Sequence, residues 1–160
     1  MNALQARFKD SIVSAFEEIL DKMAFMVFEP VTPGALPSAG FAYTSHSAFS
    51  GKLSGSLSAY FTRATAEGFA RNLIGIRAGD VLLESTMEDA LREFSNILMG
   101  RALSLLAPTE HYDLQLPIAQ AGEVPLIGGT PDFRIEGMLD EVEPCRIDVS
   151  LSDSASAPKG

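Results

Sequence analysis

The sequence predicts one α+β domain, ordered α-β-β-α-α-β-β-β, with helices covering a mainly antiparallel sheet. Three observations predict it. Apolar residues recur at helical spacing over 3–27 and 86–107. They alternate over 53–61, 133–139 and 145–151. Clusters of Pro, Gly and Ser separate these segments. A chain of 160 residues, 46% hydrophobic and 21% charged, suits a single domain. That length can bury about two thirds of the unfolded surface without help from disulfides or metals.

The first helix, 3–27, carries Phe8, Ile12, Phe16, Ile19/Leu20 and Met23 on one stripe. It should stop before Glu29-Pro30, because proline disfavours helical geometry in the residue ahead of it. Residues 29–40 (EPVTPGALPSAG) read as a loop. Strands are expected at 41–49 and 53–61, joined by Ser50-Gly51-Lys52. In the second, Leu53, Gly55, Leu57, Ala59 and Phe61 share one face, and Ser54, Ser56, Ser58 and Tyr60 the other. A short helix over 63–75 begins near Thr62 and ends at Gly75. The longest helix, 86–107, has Thr86 as its expected N-cap, Glu88 and Asp89 in its first turn, and Pro108 as its stop. Leu114, Leu116 and Ile118 then alternate around Pro117, which predicts an edge or irregular strand. Residues 123–131, including Gly128-Gly129, read as a turn, and a terminal hairpin is centred on Glu141–Pro144. The domain should span 1–151, with 152–160 (SDSASAPKG) a disordered tail that lacks packing residues.

Charge and cysteine content narrow the function classes. The chain has 12 basic and 21 acidic residues, a net charge of −9. This argues against nucleic acid or anionic membrane as partner, since both require basic patches. Cys145 is the sole cysteine, so no internal disulfide can form, and its apolar strand makes it a buried structural thiol. No basic leader with an apolar block and no run of about 18 apolar residues is present, so a cytoplasmic location is expected. His46 and His111 stand alone, without the spacing of a metal site. No glycine-rich phosphate loop is found.

The long helix carries the functional signal. At about 100° per residue, Met87, Ala90, Leu91, Ile97, Leu98 and Leu105 fall within about 60° of Phe94. On the opposite side, between about 200° and 260°, stand Asn96, Asp89, Gly100 and Glu93. Most surface helices have a solvated polar face, but this one contains two poor helix formers. Asn competes for backbone hydrogen bonds, and Gly costs about 1 kcal/mol relative to Ala. A glycine on an exposed face lets a partner's backbone approach closely. A carboxylate beside a carboxamide supplies neither a nucleophile nor a metal cluster. The amide can hold a water by donating and accepting, and the carboxylate can pair with a partner's cation. Such a pair suits hydrolysis of a group that the partner has already activated.

The segment Asp89-Ala-Leu-Arg-Glu93-Phe-Ser-Asn96-Ile-Leu-Met-Gly100 resembles the signature of the CheC/CheX/FliY chemotaxis phosphatases. Pro117 stands near the late proline of that signature, a couple of residues early. The N-terminal helix, the hairpin at 51–61, the short helix and the two terminal strands fit the family layout over roughly residues 5–151. The resemblance implies internal pseudo-symmetry, which directs attention to the first helix. There Ser14, Glu18 and Asp21 repeat the spacing of Asp89, Glu93 and Asn96. An ionised Asp cannot donate a hydrogen bond and repels a phosphoryl group, so these residues read as a degenerate second site. A single working pair is similar to the CheX branch rather than to CheC.

By that resemblance the substrate is the aspartyl phosphate of a CheY-like receiver domain, beside a Mg²⁺ that the receiver holds. Asn96 would orient the attacking water, Glu93 would pair with the receiver's lysine, and Asp89 and Gly100 would shape the contact surface. The protein would need no cofactor of its own, and a homodimer with sheets joined across the interface is implied. The competing reading is a non-catalytic module on the same fold, docking to a receiver or sitting in a switch assembly. Phosphate release from a phosphorylated receiver separates the two.

Overall fold

The computed structural model describes residues 1–36, 40–125 and 129–153. Helix α1 (Ala3–Ile19) opens on a capping box, in which the Asn2 side chain accepts from the Gln5 amide while the Gln5 side chain accepts from the Asn2 amide. Its stripe of Phe8, Ile12, Phe16 and Ile19 is buried. The helix was expected to reach residue 27 and stops sooner. Leu20–Ala24 is a π-helical turn, and Phe25 leaves it in the left-handed conformation at φ 56°. The wider turn shifts the buried positions to Leu20 and Ala24, and Met23, expected in the stripe, is exposed.

Strand β1 (Phe28–Pro30) occupies what had read as the start of a loop. Its partner, β6, is more than a hundred residues away, so no local pattern could reveal it. The Phe28 ring packs edge-on to Phe16, with centroids 4.9 Å apart. A Cβ at Gly137 would come within 2.1 Å of that ring and 2.6 Å of the Glu29 carbonyl, so the β1–β6 approach requires glycine.

Strands β2 (Tyr43–Ser50) and β3 (Leu53–Phe61) form the expected hairpin. Helix α2 (Arg63–Phe69) is capped by Thr62 and continues as a π-helical turn, Ala70–Ile74, ending at Gly75. Helix α3 (Glu84–Leu106) follows. The Pro117 region is irregular, as expected, and divides into β4 (Asp113–Leu114) and β5 (Ile118–Ala121), both paired to β2. Strands β6 (Phe133–Leu139) and β7 (Glu143–Asp153) form the terminal hairpin. β7 runs two residues into the stretch expected as tail, because Leu53 and Ser54 pair with Asp153 and Ser152. Residues 154–160 of that stretch, 126–128 of the expected turn and 37–39 of the expected loop lie outside the described residues.

Seven strands among the described residues make one antiparallel sheet, ordered β1-β6-β7-β3-β2-β4, with β5 also on β2. The helices cover one face. Between them and the sheet lies an aromatic core in which Phe94 of α3 stacks on Phe69 at 4.4 Å and meets Phe16 and Phe61 edge-on. Arg7 of α1 bonds the Leu106 carbonyl while Phe16 reaches Phe94, so α1 and α3 run antiparallel. The serine face of β3 points away from the helices. There Arg146 lies 4.2 Å from the Tyr60 ring centroid, and Asp148 is bound by Arg134. Cys145 is buried in β7, and burial pushes its thiol up to about 12, an inert structural sulfur as the sequence suggested.

Candidate active site

Helix α3 is fixed at its start, middle and end. Its start differs from expectation: Leu83 occupies the cap position, the helix begins at Glu84, and no side chain of the described residues caps it. Thr86 therefore lies in the first turn, and Glu88 and Asp89 follow it. The cause is a tertiary tie. The Tyr43 hydroxyl donates to Glu84 Oε2 at 2.5 Å, and Arg63 Nη1 donates to Glu84 Oε1 at 2.9 Å. These bonds hold the Glu84 carboxyl below its usual range, while burial and the same carboxylate push the Tyr43 phenol up to about 12. In the middle, the hydroxyls of Ser95 and Ser45, both fully buried, are 2.6 Å apart. At the end, Arg7 Nη2 donates to the Leu106 carbonyl at 3.3 Å.

With α3 so held, Asp89, Glu93 and Asn96 are exposed on one face and Gly100 is half-buried beside them. The structure thus brings together the four residues that the helical wheel grouped. Neither the Glu93 nor the Asn96 side chain has a hydrogen-bond or ion-pair partner among the described residues. Asp89 does, accepting from Arg92 Nη2. Among the described residues, a Cβ built on Gly100 would meet only Leu114 Cδ1, at 3.8 Å, an ordinary contact. The chain's own packing therefore does not require glycine there. Next to it lies a groove of about 220 Å³ lined by Gly100, Ser104, His111, Tyr112 and Leu114. Pro117 is half-buried in the connection between β4 and β5.

The first helix presents a different picture. Ser14 is exposed, but Glu18 is bound by Lys22 at 3.2 Å and by Arg101 of α3 at 2.9 Å. Arg101 first, and Lys22 second, hold the Glu18 carboxyl below its usual range. Asp21 falls inside the π-helical turn, so the i,i+3 relation to Glu18 crosses a change of helix type. Of the two isolated histidines, His46 Nδ1 is 2.5 Å from Ser58 Oγ on the sheet's far face, and His111 is exposed near Asp113. Among the described residues no group of three His, Cys, Asp or Glu side chains is disposed to hold a metal. No helix of the described residues is long and apolar enough to cross a membrane.

Sequence reasoning missed Arg92, Glu84 and the Ser45–Ser95 pair. Arg92 was legible as the i+3 neighbour of Asp89. The other two depend on β2, which helical periodicity cannot report.

The architecture is that of known chemotaxis proteins. A chemotaxis protein CheX from Vibrio vulnificus superposes with a TM-score of 0.75 at 20% identity, covering 95% of this chain and 100% of that one. A chemotaxis protein CheX from Desulfovibrio desulfuricans gives 0.73 at 20% identity, over 91% and 99%. The CheX-CheY-BeF3-Mg²⁺ complex from Borrelia burgdorferi gives 0.66 at 17% identity, over 90% and 97%. At these identities the superpositions establish the fold. No curated protein matches the chain in sequence. A family model does: chemotaxis phosphatase CheX, over residues 43–128, a span that holds all of α3 and its exposed face. More than half of the chain lies within that match, and the chain belongs to the chemotaxis phosphatase CheX family.

Proposed function

We propose that this CheX-family protein hydrolyses the aspartyl phosphate of a CheY-like receiver domain, with Glu93 and Asn96 as the working pair. One observation carries the assignment: these two side chains, one helical turn apart, are exposed with no partner among the described residues, on a helix that is otherwise fixed. An unpartnered carboxylate and carboxamide on a rigid element are ready for groups that arrive with another molecule.

In this reading Asn96 holds water in line with the phosphorus, accepting from it through the amide oxygen. Glu93 pairs with the receiver's lysine and sets the docking angle. Gly100 and its groove take the receiver's neighbouring backbone. The receiver brings the Mg²⁺, in keeping with the composition of the Borrelia complex. Ser14, Glu18 and Asp21 form a degenerate second site, because two cations already occupy Glu18 and Asp21 cannot donate. The protein acts in the cytoplasm, where such receivers are found. It pairs as a homodimer through the edge at β4 and β5, where Leu116 is 91% exposed and Ile118 59%.

The test is phosphate release from a phosphorylated receiver. Wild type is expected to accelerate it. Asn96→Ala should lose about 100-fold or more in kcat while still binding the receiver, and Glu93→Ala should mainly weaken binding. Full activity in Asn96→Ala would refute the assignment.

A further inference from the structure

The face that carries Glu93 and Asn96 also carries a cation. Arg92 lies one turn before Asn96 and one after Asp89, so Asp89 and Glu93 form one i,i+4 column on the helix and Arg92 and Asn96 an adjacent one. Arg92 donates from Nη2 to Asp89 Oδ1, and its side chain remains 38% exposed. No other described residue accepts from its guanidinium, so Nε and Nη1 keep free donors. The other arginine of α3, Arg101, is bound to Glu18 of α1. A dianionic phosphoryl group brought to this face meets two carboxylates, Asp89 and Glu93. Arg92 is the helix's one cation placed to offset them.

We propose that Arg92 is a catalytic residue, donating to the non-bridging phosphoryl oxygens, and that Asp89 is the positioning residue that holds its guanidinium on the Asn96 side of the helix. The inference rests on the phosphatase reading given above. The water oxygen forms a bond to phosphorus as the bond from phosphorus to the receiver's aspartyl oxygen breaks. The electron pair stays with the aspartate, one water proton passes to a phosphoryl oxygen, and the products are a free carboxylate and H₂PO₄⁻. Charge on the non-bridging oxygens must be stabilised through this displacement, and a guanidinium fork fits two of them at once.

The experiment measures kcat and KM for phosphate release from a phosphorylated receiver, with melting curves as the check on folding. Arg92→Ala should lower kcat about 100-fold with KM changed by no more than about threefold. Arg92→Lys should also lose most of kcat, because an ammonium cannot form the planar fork. Asp89→Asn should lower kcat about fivefold in the wild-type background and cause no further loss beside Arg92→Ala, since residues that act through one another are not additive. Wild-type kcat in both Arg92 variants would overturn the proposal, as would a raised KM at unchanged kcat, which marks a docking contact. An additive Asp89→Asn loss would overturn the positioning role. An inactive wild type would overturn the phosphatase reading as well, whereas an active wild type with inactive Asn96→Ala and active Arg92→Ala would remove Arg92 alone.

Discussion

Asn96 and Asp21 hold the same place in two sequence spacings, three residues after Glu93 and Glu18, and one amide separates them chemically. The structure adds a second difference at Glu18, which Arg101 and Lys22 hold in place, whereas Glu93 is open. Installing an amide at position 21 is therefore not expected to create a working site. Asp21→Asn combined with Asn96→Ala should remain inactive in receiver dephosphorylation, and recovered phosphate release would show that the occupation of Glu18 does not block a centre on the first helix. The exposed pair on α3 was legible in the sequence because helical phase is a local property. The occupation of Glu18 was not, because Arg101 lies 83 residues away along the chain.

At the scale of the element, α3 bears a cost that its own packing does not demand. Gly100 weakens the helix by about 1 kcal/mol relative to Ala, and a methyl group there would touch only Leu114 at an ordinary distance. Gly100→Ala should accordingly raise the melting temperature by about 3 °C and, in the same protein, raise KM for the phosphorylated receiver severalfold. A stabilised variant with unchanged KM would show that the groove beside Gly100 is not part of the contact. The bodies of the helices could be read from periodicity, but their ends could not. Both π-helical turns and the start at Glu84 depend on tertiary partners: Asn72 donates to the Ala24 carbonyl across the two turns, and Tyr43 and Arg63 fix Glu84.

For the whole molecule, alternation located the hairpins but not the sheet order, since β1 joins β6 and β7 joins β3 across most of the chain. The homodimer proposed above would form through the exposed edge at β4 and β5. Leu116→Glu is expected to give a monomer by light scattering in which each chain keeps its own Glu93–Asn96 face. A wild type that is itself monomeric, or a variant still dimeric at the same concentration, would reject that edge as the interface. Family membership was accessible from the order of elements around one motif, because a Glu-x-x-Asn spacing gains meaning only on a helix that the rest of the fold holds in the right orientation.

The buried bond between Ser95 and Ser45 bears on whether the chemistry proposed for Glu93 and Asn96 could be moved to another scaffold. Apolar side chains on a helix tolerate small rotations about its axis, since one hydrocarbon contact can replace another. Two buried hydroxyls that satisfy each other at 2.6 Å do not. Ser95 is thus an azimuthal lock, set one residue before the amide whose direction it determines. A designer who grafts only the glutamate and the asparagine onto another exposed helix would transfer the groups without their aim. The portable unit includes the serine and the strand position that receives it.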